Sequence, residues 1–287
     1  MNRNILETLE FNKVRSLLEP LVVTEQGQKE LADVSPMSEI SRIQQAFDEL
    51  KDMADLFVHY PHFSLGATQE IGPAMRRLDL EADLNIMELL AVKRVLTVSK
   101  ELVDFYTNLE NVQLRQLDKL FEKIETFPGL QGTLLALNDA GFVEDFASEE
   151  LLKIRRQIQE KESQVRQVLQ DLLKTKADML SDSILASRNG RNVLPVKNTY
   201  RNRIAGIVHD ISASGSTVYI EPRAVVSLNE DVTHLRAEER HEVARILREM
   251  SSLLRPHSGI IGNNAWVIGH LDLVRAKHLF ARKHEAV

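Results

Sequence analysis

The 287-residue sequence carries 36 Lys and Arg against 42 Asp and Glu, so its formal net charge is −6 and a basic coat over the whole surface is excluded. It has no cysteine, which excludes disulfides, thiolate metal sites and cysteine nucleophiles. With 12 glycines and 8 prolines, turn residues are too scarce for a sandwich or barrel of many short strands, and we expect a mainly α protein. The sequence shows neither an apolar leader nor a membrane-spanning stretch, which predicts a cytoplasmic protein.

Residues 1–147 are predicted to form a helical domain, because apolar residues recur there with a period of three to four. Within one of these stretches, Phe47 is expected to lie in the core. The stretches with this period are 5–18, 40–57, 84–109 and 113–125.

A long helix is predicted to begin after Ser148, a plausible N-cap, and to run to about Ser187 without Gly or Pro. Roughly 39 residues at 1.5 Å each make a helix about 58 Å long. Its apolar residues alternate in steps of four and three, a pattern typical of a coiled-coil seam that packs on one partner helix. The seam, interrupted by Lys161 and Thr175, consists of Ile154, Ile158, Lys161, Val165, Val168, Leu172, Thr175 and Met179.

The partner helix is predicted at 228–254, which again lacks Gly and Pro. The two helices would be antiparallel and form an arm over 148–255, because residues 188–226 join them. We call this connection the β tip, and residues 256–287 are expected to return to the helical domain. The β tip contains three β-rich runs separated by turn-like segments, which predicts a small antiparallel sheet. The runs are 193–197, 204–208 and 217–220.

The charge of the chain is unevenly distributed. Residues 151–203 hold 12 Lys and Arg but 5 Asp and Glu, so this segment has a net charge of +7 and the remainder −13. One interpretation is a surface for a polyanion, because phosphate contacts need clustered cations. The other is a solvated face opposite acidic residues of the returning helix, such as Glu238, Glu239 and Glu242. Five cations near the tip have no carboxylate among them in the sequence: Arg188, Arg191, Lys197, Arg201 and Arg203.

Signals for catalysis are weak. The chain contains no P-loop. The segment 212–216, Ser-Ala-Ser-Gly-Ser, superficially resembles a phosphate loop but lacks the lysine, and it is predicted to be a β turn. His209 and Asp210 are neighbours on a predicted strand and would point to opposite faces, so they are not expected to pair.

Two groups of histidines are candidate metal ligands. His234, Glu238 and His241 share one helix face at a spacing that can bind a metal, but their charged neighbours favour a solvated polar face. His59 and His62 form a pair in a loop without a matching second pair. We predict neither a metal site nor a catalytic residue.

Several motifs resemble the second type of bacterial MutS homologue, which lacks mismatch-recognition domains. The most specific are RNGRNVLPVK at 188–197 and GIVHDISASGSTVYIEP at 206–222. Three more are similar to this family: ILETLEF at 5–11, NDAGFVEDFAS at 138–148 and LDLVRAK at 271–277. The resemblance covers essentially the whole chain.

The resemblance implies a MutS-like helical core and lever at 1–147 and 256–287, with a clamp at 148–255. It implies that an ATPase domain, which would bind ATP and Mg²⁺, and usually a small MutS-related nuclease domain follow Val287. No cofactor is expected within the 287 residues. The full-length proteins of this family are implied to be homodimers that suppress recombination at branched DNA and split collided ribosomes. The Phe-x-Glu sequence at 47–49 resembles the mismatch-reading motif of the first type of MutS homologue by chance only. We therefore do not assign mismatch recognition to it.

The leading hypothesis is a non-catalytic nucleic-acid clamp in which the five tip cations contact phosphates of DNA or ribosomal RNA without reading bases. Both targets present phosphate, so the sequence favours neither. The alternative is a structural module for dimerisation or protein binding, in which the seam interrupted by Lys161 and Thr175 is completed by another chain.

Overall fold

The structure, a computed structural model, describes residues 10–188 and 190–285. It is mainly helical and contains one small antiparallel sheet, which confirms the predicted fold class. Part of the first predicted helix, Ile5 to Leu9, lies outside the described residues, as does Asn189 of the most specific motif. Among the helices of the described ranges, none is both long and apolar enough to cross a bilayer.

Along the described residues, seven α-helices are followed by a long helix, four strands and two more helices. The helices are α1 (Phe11–Leu18), α2 (Glu25–Asp33), α3 (Ile40–His59), α4 (Gly72–Asp79), α5 (Ile86–Thr107), α6 (Asp118–Phe121), α7 (Pro128–Leu134), α8 (Glu149–Thr175), α9 (Arg223–Leu254) and α10 (Ser258–Lys283). The strands are β1 (Ala186–Arg188), β2 (Arg191–Lys197), β3 (Gly206–Ile211) and β4 (Thr217–Pro222).

The chain divides into two compact units. The first comprises Met1–Phe142 and Leu247–Val287, and the second comprises Val143–Ile246. The predicted helical domain overlaps the first unit, and the predicted arm overlaps the second.

Helix α10 lies at the centre of the first unit, where it packs on α2, α3, α4 and α5. Every residue from Leu271 to Ala276 is buried, so this part of the helix is covered on all sides. Asp272 has no exposed surface, and its Oδ2 accepts hydrogen bonds from the backbone N–H groups of Val23 and Thr24, each at 2.8 Å. Arg275 donates to its Oδ1 at 2.8 Å. This buried carboxylate therefore ties α10 to the segment that precedes α2.

A partly buried ionic cluster joins α10 to α2 and α3. His270 Nδ1 lies 2.6 Å from Glu30 Oε1, and its Nε2 lies 3.2 Å from Glu49 Oε2. Burial alone would lower the pKa of His270, but the two carboxylates outweigh it and raise the pKa to about 9. His270 is therefore a cation at neutral pH. Its neighbour Lys277 has a lowered pKa because of its burial.

Two predictions for the first unit are wrong. The helix predicted at 113–125 is limited to α6. Its start is delayed, because Asp52 Oδ2 accepts hydrogen bonds from the backbone N–H groups of Arg115, Gln116 and Leu117 at 2.6–3.0 Å. These donors are held by a distant carboxylate instead of helical carbonyls. Phe47, expected in the core, is 55% exposed. It lies outside the buried face of α3, which includes the nearby Glu49.

In the second unit α8 and the first part of α9 are antiparallel, as predicted. Cross-helix pairs join Ser148 to Glu242 at 2.6 Å and Lys161 to Asp231 at 2.6 Å, so numbers rise along one helix as they fall along the other. Ser148 is the predicted N-cap, since its Oγ accepts a hydrogen bond from the N–H of Leu151 at 3.0 Å.

The prediction that α8 reaches Ser187 is wrong, because the helix ends at Thr175. A short 3₁₀ turn, Ala177–Met179, follows, and Leu180 then forms a bridge with Val196 of β2. Leu180 is buried in the core under the sheet, where Leu185 also packs. Burial of these side chains against the sheet overrides the helical tendency of a stretch without Gly or Pro.

The sheet is antiparallel throughout and has the order β1-β2-β4-β3. Three of the strands match the predicted runs, and β1 was not predicted. The buried face of the sheet packs on the last turns of α8 and the first turn of α9. The buried residues of the core between the sheet and these helices are Val165, Leu169, Leu180, Leu194, Val196, Ile204, Val218, Ile220 and Val225.

Candidate nucleic-acid interface

The five predicted cations lie along the sheet and do not converge on one point. Arg188 ends β1 and is paired in register with Arg191, the first residue of β2. Lys197 ends β2, about 20 Å from Arg191 at 3.3 Å per residue. Arg201 and Arg203 belong to the 3₁₀ segment Asn198–Arg203 between β2 and β3. This spacing suits an extended polyanion better than a single anionic group.

Arg188 is held on the sheet by two contacts. Its Nε donates to Asp210 Oδ2 at 2.9 Å, and its guanidinium carbon lies 4.0 Å from the centroid of the Tyr219 ring. Both side chains of the ion pair are partly exposed, at 36% and 49%, so the pair adds little to stability. The ring contact also fixes the direction of the guanidinium.

Arg191 is anchored by a buried carboxylate. Glu221, in β4, has no exposed surface, and its Oε1 accepts hydrogen bonds from Arg191 Nη1 at 2.8 Å and from Asn229 Nδ2 at 2.7 Å. Its Oε2 lies 2.6 Å from His209 Nε2. Burial by itself would raise the pKa of Glu221, but hydrogen bonds from Asn229, His209 and Arg191 lower it below its usual value. The positive charge of Arg191 is therefore at least partly neutralised by Glu221.

The remaining three cations keep their charge exposed. Lys197 Nζ donates to the backbone oxygen of Asp178 at 3.0 Å, which leaves its charge unneutralised. Arg201 and Arg203 are exposed, and neither forms an ion pair or side-chain hydrogen bond with any residue of 10–188 or 190–285. In the folded sheet, Lys197, Arg201 and Arg203 therefore form no ion pair with a carboxylate of the described residues. Arg188 and Arg191 each pair with one.

The serine-rich segment 212–216 is the turn between β3 and β4, as predicted. The N–H of Gly215 donates to the oxygen of Ser212 at 2.8 Å, and Gly215 has a φ of +70°, which glycine adopts without strain. Asn198 binds this turn through its side chain, whose Nδ2 donates to the Gly215 oxygen at 2.9 Å. The turn and Lys197 consequently lie at the same end of the sheet.

Several basic residues of the helix pair are neutralised across it, whereas Arg156 and Arg166 of α8 are exposed and form no ion pair among the described residues. Arg155 Nε donates to Glu239 Oε1 at 2.7 Å, and Lys161 pairs with Asp231. One pair has the opposite arrangement, with the cation on α9 and the carboxylate on α8: Arg236 donates to Glu162 at 2.6 Å. For this stretch of the helix pair, the interpretation of a cationic face opposite acidic residues is correct.

The candidate histidines form no metal or catalytic site among the described residues. His209 and Asp210 do not pair with each other, as predicted: His209 binds Glu221 and Asp210 binds Arg188. His234 Nδ1 lies 3.2 Å from Glu238 Oε1 on an exposed face. Among the residues that the structure describes, no group of three or more His, Asp or Glu side chains is placed to bind a metal.

Sequence reasoning missed the partners Asp210, Tyr219 and Glu221. Glu221 did carry a usable signal, because it follows an apolar run in a strand and a buried carboxylate requires a partner. Its identity as the partner of Arg191 depends on strand register, which pairs Gly206 with Pro222 and Leu194 with Ile220.

The described residues form a mainly helical fold in which an antiparallel helix pair carries a small sheet with exposed cations. No family model matches the chain. It is 73% identical over its whole length to a protein named endonuclease MutS2 from Streptococcus suis. It is also 61% identical to the protein of that name from Streptococcus sanguinis and 60% identical to one from Streptococcus pneumoniae. The chain belongs to the MutS2 family, as the motifs indicated, and spans 37% of the length of these relatives.

Proposed function

We propose that this chain is a nucleic-acid-binding clamp and lever without catalytic activity of its own. The observation that carries the proposal is the exposed, unneutralised charge of Lys197, Arg201 and Arg203 in a protein whose formal charge is −6. An acidic protein that concentrates free cations on one small sheet can attract a polyanion there while repelling it elsewhere.

The contacts would be to phosphates and would read no bases. In β4, one face of the Tyr219 ring is covered by the guanidinium of Arg188 at 4.0 Å, so this face is not available to a base. Three phosphate contacts would give a salt dependence of about −2.7 in log K against log salt for duplex DNA. Binding should therefore be strong only at low ionic strength and nearly independent of sequence.

The wider role extends this proposal to the whole protein. The relatives are named endonucleases, and we propose an ATPase with Mg²⁺-dependent ATP hydrolysis and a nuclease activity for the full-length protein. The full-length protein would be a cytoplasmic homodimer that suppresses recombination at branched DNA, splits stalled collided ribosomes, or does both. In that dimer, ATP-driven movement would open or close two clamps.

The test is a comparison of polyanions over a salt series. The 287-residue chain is titrated against a labelled four-way DNA junction, a duplex of equal length and purified ribosomes. We expect binding to at least one target, with log affinity falling linearly as log salt rises. Absence of binding to all three at low ionic strength would overturn the proposal, and the order of affinities would decide between DNA and the ribosome.

A second candidate, a dimerisation or protein-binding module, is favoured by a different observation. The edge strand β3 exposes Ile207 at 48% and Ile211 at 46%, and an unpaired edge with apolar side chains can add another strand. The interrupted seam no longer supports this candidate, because Lys161 is satisfied by Asp231 within the chain. Sedimentation at several concentrations, with and without DNA, separates the two: self-association without DNA binding would favour the module.

A further inference from the structure

A second group of cations surrounds a pocket in the second unit, between α8, α9 and the β1–β2 connection. The pocket has a volume of about 230 Å³. It differs from the surface formed by Lys197, Arg201 and Arg203, since only Arg191 of the five predicted cations reaches it. Its lining includes Glu162, Arg166, Arg191, Asn192, Asn229 and Arg236.

Two of the lining side chains are fixed before any ligand arrives. Arg191 and Asn229 both donate to Oε1 of the fully buried Glu221, at 2.8 Å and 2.7 Å. A guanidinium carries five N–H donors, so Arg191 retains donors after binding Glu221. Gly190 lies at the rim with a φ of +74°, a conformation that other residues rarely adopt. Pre-organisation of this kind reduces the entropic cost of binding.

The charge of the lining is positive. Three arginines face the pocket with a single carboxylate, Glu162, which accepts a hydrogen bond from Arg236 Nη2 at 2.6 Å. Arg166 is exposed and makes no ion pair or side-chain hydrogen bond elsewhere in the described chain. A purely structural ion-pair network would give each guanidinium an acceptor, whereas this one leaves Arg166 and part of Arg191 and Arg236 without one.

We propose that this pocket binds one phosphate group of a nucleic-acid backbone. Planar guanidinium groups bind phosphate through paired N–H donors, and the amides of Asn192 and Asn229 add neutral donors that suit phosphate oxygens. The inference rests on the proposed function, because the phosphate belongs to the same polyanion that the exposed tip cations attract. The tip would collect the polyanion through free charge, and the pocket would fix its register.

The experiment uses four single variants of the 287-residue chain in two matched pairs. Arg166→Glu removes a pocket cation, and Arg156→Glu makes the same change at an exposed arginine of α8 without an ion pair among the described residues, about 15 Å further along the helix. Glu162→Gln removes the carboxylate of the pocket, and Glu160→Gln is its exposed control. All four positions are at least partly exposed, so the variants should fold.

Two properties are measured for each variant. One is the affinity for the nucleic acid that the unmodified chain binds best, over a salt series. The other is the thermal stabilisation by inorganic phosphate relative to chloride at equal ionic strength. We expect Arg166→Glu to weaken nucleic-acid binding about tenfold and to reduce the salt slope by about 1, with little change in Arg156→Glu. Glu162→Gln should strengthen binding more than Glu160→Gln.

Three outcomes overturn the inference, and they are distinguishable from failure of the proposed function. If Arg166→Glu and Arg156→Glu have equal effects while the unmodified chain binds nucleic acid, the pocket takes no phosphate but the proposed function stands. If Arg166→Glu abolishes only the effect of inorganic phosphate, the pocket binds a free anion instead of a backbone. If Glu162→Gln weakens binding, the arginines need that carboxylate for structure. If the unmodified chain binds no nucleic acid at all, it is the proposed function that fails.

Discussion

Replacement of Glu221 by glutamine should destabilise the second unit far more than any other single charge removal in the sheet. Glu221 has no exposed surface and accepts hydrogen bonds from Arg191 and Asn229, with His209 at 2.6 Å. Removing one member of a buried ion pair costs about 3–5 kcal/mol, because the other charge is left without a partner. Arg191 is 25% exposed and can regain some hydration, so we expect the lower end, about 3 kcal/mol.

The assay is native-state hydrogen exchange of the amides in β2 and β4. A loss of about 3 kcal/mol should reduce their protection by about a hundredfold. The control is Asp210→Asn, which breaks the partly exposed pair with Arg188 and should cost less than about 1 kcal/mol. If Glu221→Gln reduces protection no more than Asp210→Asn does, Glu221 is not the anchor of the sheet and the argument from burial is refuted.

Two further predictions concern other parts of the chain. The pKa of His270 is raised to about 9 by Glu30 and Glu49, so its stabilising charge is complete below pH 6.5 and is lost as the pH rises through 9. The thermal midpoint of the unmodified chain should fall as the pH rises from about 6.5 to about 10, and that of the His270→Gln variant should fall less. Equal declines in the two proteins would contradict this. Gly206→Ala should disrupt β3–β4 pairing, because the new Cβ would lie 2.1 Å from the backbone oxygen of Glu221. Unchanged hydrogen-exchange protection of β3 would count against it.

The sequence predicted those features that depend on local pattern. Periodicity without Gly or Pro gave the antiparallel pair α8 and α9, and the β-rich runs gave three strands of the sheet. The end of α8 at Thr175 was not predictable, because Leu180 and Leu185 leave the helical pattern only to fill the core beneath the sheet. In the same way, α6 is shortened by Asp52, which is more than 60 residues away in sequence.

The composition of the sequence predicted where the cations of the candidate interface cluster. It did not predict which of them form ion pairs. A cluster of cations is visible in the sequence, whereas the ion pairs of Arg188 with Asp210 and Arg191 with Glu221 join residues 22 and 30 positions apart. Such pairs depend on strand register and on the β-bulge between Val208 and Asp210. Only the folded sheet shows that Arg201 and Arg203 remain free.

The most direct test of the account is charge reversal at the two free arginines of the tip. The double variant Arg201→Glu, Arg203→Glu is compared with Arg156→Glu, Arg240→Glu, which reverses two exposed arginines of α8 and α9 without ion pairs among the described residues. The salt dependence of binding to four-way-junction DNA and to ribosomes is measured for both. We expect the slope of log affinity against log salt to fall by about 2 in the tip variant alone. Equal slopes in the two variants would contradict the claim that the tip binds phosphate.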